Sequence, residues 1–164
     1  MRKQKGFSLI ELLIVVAIIL IIAAIAIPNL LRSRMAANEA SAVGSVRTIN
    51  TAEVTYSSTY PDVGFADTIA KLGSATTCGT ATAAAACLLD PALTLAVDAT
   101  HLKSGYYFAV APIGTATVPQ STYSVNGDPG NRGQTGQRSF YSDQSGVIRY
   151  NQTAPAGSAD SALQ

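Results

Sequence analysis

Residues 5–28 read KGFSLIELLIVVAIILIIAAIAIP, and this stretch decides the fold. Between residues 7 and 27 the clearly polar side chains are those of Ser8 and Glu11. A run of about 21 residues is long enough to cross the ~30 Å hydrocarbon core of a bilayer as a helix. The basic residues before the run predict a cytoplasmic N-terminus; they are Arg2, Lys3 and Lys5. The sequence therefore predicts a membrane-spanning helix.

An ordinary cleaved secretory signal is the alternative, but it has a shorter apolar region followed by a small-residue cleavage site. Here the helical pattern continues past Pro28. Apolar residues recur there mostly in steps of three or four, as on one face of an amphipathic helix; they are Leu31, Met35, Val43, Val46, Ile49 and Tyr56. The joined helix would have roughly 50 residues and a length of about 75 Å. Its front half must be buried elsewhere, in lipid or against sister subunits.

Pro28 removes a backbone donor and crowds the preceding turn, so we expect a kink or a local weakening there. A plain helix break that separates an anchor from a soluble domain is the alternative.

Glu11 is costly in an apolar run, by about 2.5–3.5 kcal/mol near the bilayer centre. The run holds no basic partner, but cleavage after Gly6 would create an amine on Phe7, four residues away. Alternatively, Glu11 complements the positive end of its own helix.

The stretch from Lys5 to Ile19 closely resembles the class III signal of type IV pilins and of type II secretion pseudopilins. The shared features are a short basic leader ending in Gly6, then Phe7, Glu11 as the fifth mature residue, and a long apolar run to Pro28. The resemblance implies that a prepilin peptidase cuts after Gly6 and N-methylates Phe7. It implies that Glu11 attracts the Phe7 amine of a neighbouring subunit during assembly, and that the helix softens at Pro28.

Removing residues 1–6 would leave eight basic against ten acidic residues, a formal net charge of −2. That balance lacks the basic excess expected for electrostatically driven nucleic-acid binding.

Strand-like runs rich in aromatic and β-branched residues follow the helix, with a hairpin turn at residues 144–146; they span residues 105–112, 122–126, 138–143 and 146–151. An antiparallel sheet against a long helix predicts an α+β fold, similar to the pilin fold.

The predicted organisation has five parts: a leader at residues 1–6, a helix at 7–58, a connection at 59–104, a sheet at 105–151 and a flexible tail at 152–164. Within the helix, residues 7–27 form the membrane-spanning or filament-core part and residues 28–58 the amphipathic part. The segment 127–136 reads as a flexible loop because it is rich in Gly.

Cys78 and Cys87 lie nine positions apart behind an export signal, so we expect one disulfide that closes a short loop. We expect no metal site at the two cysteines, because the single histidine, His101, is the only soft partner near them. Asn126, Asp128 and Asn131 resemble calcium ligands, but one carboxylate among Gly and Pro usually marks a turn. The sequon at residues 151–153 is a short pattern that often occurs by chance.

The sequence predicts no enzyme and no cofactor, since a catalytic nucleophile needs a positioned base and the single histidine, His101, reads as a lone surface residue. We expect the aromatic residues to be core rather than a DNA-stacking surface.

The leading hypothesis is a pilus subunit that lies in the inner membrane, meets its assembly machinery there, and then forms a homo-oligomeric helical filament outside the cell. A pseudopilin and a minor pilin are alternatives, although major pseudopilins usually carry an Asp-Pro-Trp-Gly calcium loop and this chain has no Trp. A membrane-anchored periplasmic enzyme or sensor is the hypothesis from another class.

Overall fold

The computed structural model describes residues 8–74, 76, 78–115 and 117–163. The chain forms two compact units, one up to Arg34 and one from Met35 onward, and each is described by itself. The first unit holds the apolar part of the helix, and the second holds the amphipathic part together with the sheet.

The long N-terminal helix predicted from the sequence is α1, which spans Leu9–Thr59. It continues through Pro28, so the plain break considered above is not found. In the second unit α1 buries one face, whose members recur every three or four residues as an amphipathic helix requires; they are Glu39, Ala42, Ser45, Val46, Ile49, Ala52, Glu53 and Tyr56. Two carboxylates therefore share the buried face with three of the predicted apolar residues, Val46, Ile49 and Tyr56, whereas Leu31 is exposed.

Five antiparallel strands form one sheet in the order β1-β2-β3-β4-β5, which confirms the α+β class. The strands are β1 (Tyr106–Ala111), β2 (Ser124–Pro129), β3 (Ser139–Asp143), β4 (Arg149–Asn151) and β5 (Ser161–Ala162). Side chains from the sheet and from α1 form one core, in which Tyr56, Tyr106, Phe108, Tyr123 and Phe140 are nearly or wholly buried. Most of the large aromatic side chains thus stabilise the fold.

Strand β2 runs into the segment predicted as a loop, residues 127–136. Gly127 pairs with Phe108 of β1 and with Phe140 of β3. A Cβ at Gly127 would lie 3.0 Å from the Phe108 ring, so the close packing of that ring favours glycine inside the strand. The sequence composition predicts a turn at Gly127, but in the structure this glycine lies in a strand and makes room for the ring of Phe108.

The connection between α1 and β1 contains two short helices that the sequence did not predict, α2 (Ile69–Leu72) and α3 (Pro91–Thr94). Each buries leucine in the core, through Leu72 and Leu93. Cys78 and Cys87 are joined by a disulfide with a Cα–Cα distance of 5.9 Å. The predicted disulfide loop therefore lies between two segments that are packed on the core.

The C-terminal tail, predicted to be flexible, is attached to the sheet in this structure. Strand β5 pairs with β4, and the Leu163 N–H donates to the Ile148 carbonyl at 2.8 Å. The Asn126 side chain donates to the carbonyl of Ala156, which is buried. These contacts use mainly backbone groups, which small polar side chains do not reveal in a sequence.

Glu39 of α1 fastens the helix to the start of β3. Its Oε1 accepts the N–H groups of Gln137 and Arg138 at 2.8 and 3.1 Å, and its Oε2 accepts Arg138 Nε–H at 2.7 Å. Burial raises the pKa of Glu39, but the hydrogen bonds from Gln137 and Arg138 outweigh it, so the pKa lies below the ordinary value of 4.5. The charged form of Glu39 therefore stabilises the fold.

Replacing Glu39 with Gln should lower the free energy of unfolding at neutral pH by about 1–3 kcal/mol, because Arg138 loses its charged partner. A folded pKa below 4.5 means that this stabilisation is present above pH 4.5 and is lost as the pH falls through the folded pKa. Chemical unfolding of the full chain in detergent micelles checks both points. Asp62→Asn, at an exposed acid, is the matched control and should change little. Equal effects of the two substitutions would contradict the account.

Candidate functional site

The first unit exposes a continuous apolar surface on α1. Its large apolar side chains range from 45% exposed at Val16 to 79% exposed at Leu9. Soluble monomers rarely expose an apolar patch larger than roughly a few hundred Å², and larger patches mark sites of association. Among the described residues, α1 is long and apolar enough to cross a membrane. This surface needs cover that the described part of one chain does not supply.

Glu11 lies in the first turn of α1 and is exposed. Its Oε2 accepts the backbone N–H of Ser8 at 2.9 Å. The pattern Ser8-x-x-Glu11 is that of a capping box, in which the third helical residue reaches back to the N-cap N–H. The carboxylate also complements the positive end of the helix. The Ser-x-x-Glu spacing is the signal in the sequence from which Ser8 could have been predicted as the partner of Glu11.

Within the residues that the structure describes, no basic group lies within 4.0 Å of the Glu11 carboxylate. The two predicted processing residues, Gly6 and Phe7, lie outside the described residues. One oxygen of Glu11 is therefore engaged locally, at the residue next to the predicted new N-terminus, and the carboxylate is accessible to a further donor.

Pro28 lies inside α1 and is exposed. Because proline has no N–H, the Ala24 carbonyl lacks the helical donor that it would otherwise have. One turn further on, Ser33 Oγ donates to the Asn29 carbonyl at 3.0 Å, a side-chain bond that competes with the backbone ladder and often accompanies helix bending. The local backbone is thus less fully hydrogen-bonded than its neighbours.

The loop that holds His101 does not have the order of a catalytic triad. His101 Nδ1 lies 3.1 Å from Asp98 Oδ1 and 3.0 Å from Thr100 Oγ1, so the acid and the hydroxyl meet the same ring nitrogen. A triad needs the acid on one nitrogen and the nucleophile on the other. Hydrogen bonds from Thr100 and His101 lower the pKa of Asp98. These contacts fix an exposed turn.

Two further sequence candidates are used structurally. The sequon residue Asn151 accepts the N–H groups of Thr153 and Ala154 on Oδ1, and its amide donates to Asp160 Oδ1 at 3.0 Å. The Asn126 amide donates to the chain tail. Among the described residues no group of three or more His, Cys, Asp or Glu could hold a metal ion.

Comparison with known proteins gives two kinds of match. The prokaryotic N-terminal methylation motif matches residues 1–27. The type IV wide pilus major component PilA4 of Thermus thermophilus is 67% identical over 39 residues, which cover 24% of this chain and 30% of that protein. The type IV major pilin protein PilA of Myxococcus xanthus is 39% identical over 71 residues, which cover 39% of this chain and 32% of that protein. No solved structure matches.

These matches confirm the resemblance to prepilins that residues 5–19 indicate. The chain carries the N-terminal methylation motif and is similar to type IV pilins over part of its length. It spans about a third of the length of the relatives that it matches.

Replacing Pro28 with Ala should slow amide exchange in residues 24–31 of the full chain in micelles by about 10- to 100-fold, because alanine restores the missing donor and is about 3 kcal/mol more favourable in a helix. Hydrogen-exchange mass spectrometry on overlapping peptides checks this. Asn29→Ala is the matched control, since it changes a neighbouring side chain and leaves the number of backbone donors unchanged. If both variants exchange like the original chain, α1 is not weakened at Pro28.

Proposed function

We propose that this chain is the structural subunit of a type IV pilus and has no catalytic activity. The observation that carries the proposal is the apolar surface of α1, which bears the methylation motif and is left uncovered by the described part of the chain. The N-terminal helices of sister subunits can bury this apolar surface, because in a bundle each helix packs its apolar side chains against those of its neighbours. The similarity to two proteins named as major pilus components supports this proposal over a minor pilin.

Processing is the first step of the proposed function. A prepilin peptidase cuts between Gly6 and Phe7, and the amine so formed on Phe7 is methylated. A glycine before the cut favours close approach of the protease to the backbone, since it has no Cβ. The cut also removes Arg2, Lys3 and Lys5, which hold the leader on the cytoplasmic side. Both consequences prepare the subunit to leave the membrane.

Docking through Glu11 is the second step. The Ser8 N–H holds one carboxylate oxygen, which orients the side chain at the start of α1. The Phe7 amine of a neighbouring subunit approaches the accessible carboxylate and neutralises it. An ion pair in an apolar setting is far stronger than one in water, because the effective dielectric constant is lower. The pairing therefore sets the axial position of each new subunit.

The proposed life cycle links two environments. The subunit first spans the inner membrane through residues 9–27, where lipid covers the apolar surface and the assembly machinery meets it. It then moves into an extracellular filament, where sister helices replace the lipid. Weakening at Pro28 allows α1 to adjust as that exchange takes place. The second unit carries whatever surface contacts the pilus makes, with DNA or another surface ligand.

A type II secretion pseudopilin is the second candidate, because it shares the same N-terminal signal. It is disfavoured by the sequence, which contains no Trp and so lacks the Asp-Pro-Trp-Gly loop usual in major pseudopilins.

Replacing Glu11 with Gln should reduce filament number at least about tenfold in the native host, since a loss of about 1.4 kcal/mol per contact already lowers an association constant tenfold. Electron microscopy of surface filaments gives the count, and the mass of the membrane-bound chain shows whether it begins at methylated Phe7.

Ser8→Ala is the matched control, because it keeps the Ser8 backbone N–H that binds Glu11. It should process and assemble like the original chain. Normal filaments from the Glu11→Gln variant would eliminate the docking role, whereas failure of cleavage in that variant would place Glu11 in processing instead.

A further inference from the structure

A second acid on the buried face of α1, Glu53, is wholly enclosed by the second unit. Its side chain is 0% exposed. One oxygen, Oε2, accepts the backbone N–H of Ala66 at 2.9 Å. The other oxygen, Oε1, is buried and has no hydrogen-bond partner among the described residues. Burying an unpaired carboxylate is costly, and such groups usually become neutral instead.

The Glu53 contact holds one particular part of the chain on α1, residues 60–72, which we call the connecting segment. Ala66, Ile69 and Leu72 of this segment are in the core. On its other side the segment pairs with Gln120, through Phe65 N–H to the Gln120 carbonyl at 2.9 Å and Gln120 N–H to the Val63 carbonyl at 2.7 Å. Glu53 supplies the side-chain hydrogen bond from α1 to the middle of this segment.

We propose that Glu53 and the Ala66 N–H form a pH-sensitive latch, closed when the carboxyl group is neutral and loosened when it ionises. In the closed state Oε2 accepts from Ala66 as a carbonyl oxygen, and Oε1 carries the proton. Loss of that proton leaves a negative charge in the core without a cation beside it. Opening the connecting segment admits water to the carboxylate and relieves the cost.

The groups around Glu53 do not cancel this charge. Asp67 of the connecting segment is also negative and has a buried oxygen without a partner among the described residues. Lys71 of α2 lies 2.8 Å from Asp67 Oδ2 and is engaged there. Tyr56 on α1 and Tyr123 before β2 are also near Glu53, and burial raises the pKa of both phenols. Neither tyrosine ionises near neutral pH.

The direction of the pH response follows from the folded and unfolded states of Glu53. Burial raises its pKa from 4.5 to about 7, the Ala66 hydrogen bond opposes this rise, and Asp67 adds to it. Below pH 4.5 both states are protonated and the latch is fully stable. Between pH 4.5 and about 7 the open state loses its proton first, so stability falls as the pH rises, and it levels off above pH 7.

Direct titration is the sharpest test, because the chain contains three glutamates, Glu11, Glu39 and Glu53. Labelling glutamate with ¹³C at the side-chain carboxyl gives three signals from the full mature chain in micelles. Glu11→Gln, Glu39→Gln and Glu53→Gln each remove one signal, and any two of the variants assign all three. The Glu53 signal should titrate near pH 7 and the Glu39 signal below 4.5. Titration of Glu53 at or below 4.5, or none up to the pH of unfolding, would overturn the latch.

Hydrogen-exchange mass spectrometry then tests whether ionisation opens the connecting segment. After correction for intrinsic exchange, the protection of amides in the connecting segment should fall by roughly 10- to 100-fold between pH 5 and pH 9 in the original chain. The fall should be absent in Glu53→Gln and retained in Glu39→Gln, which changes an acid on the same helix face. A His101→Gln background removes the single histidine as a source of the response. The same pH profile with and without Glu53 would contradict the proposal.

Discussion

The first half of the long helix α1 is apolar all round and is not covered by its own unit, and the proposed function depends on this one constraint. In the first unit of α1 even the least exposed large apolar side chain, Val16, is 45% exposed. A helix of that kind is stable only in lipid or among similar helices. Membrane residence and self-association are therefore two solutions to one problem, and passage from one to the other is what a filament subunit must achieve.

The acids on α1 have different roles because their surroundings differ. Glu11 caps the helix start and remains accessible, and we propose that its partner comes from another subunit. Glu39 is surrounded by donors and stays charged, which fastens the helix to the sheet. Glu53 has one donor and an unpaired oxygen, which favours its neutral form. We propose that the same residue type on one helix thus serves assembly, anchoring and pH response, according to the donors that each carboxylate meets.

Much of the fold could be predicted because its strongest signals are local. The apolar run and the three-to-four spacing after Pro28 predict α1, and the strand-like runs predict β1 to β4. Strand β5 and the end of β2, residues 127–129, could not be predicted in this way, because backbone hydrogen bonds and the ring of Phe108 place them, and these contacts come from distant parts of the chain. The buried acids Glu39 and Glu53 do fit the spacing of the apolar face. Their burial could not be predicted, because a charged residue is expected at the surface unless its partner is known. The partner of Glu39 lies 98 residues away in the sequence and that of Glu53 lies 13 residues away.

The most direct test of the central claim is mass spectrometry and electron cryo-microscopy of filaments sheared from the native cell. We predict that this chain is the main protein, that it begins at N-methylated Phe7, and that residues 9–27 of many copies pack together in the filament core with Glu11 beside a neighbouring Phe7. Recovery of the chain solely from the membrane fraction, with its leader intact and no filament that contains it, would contradict the account.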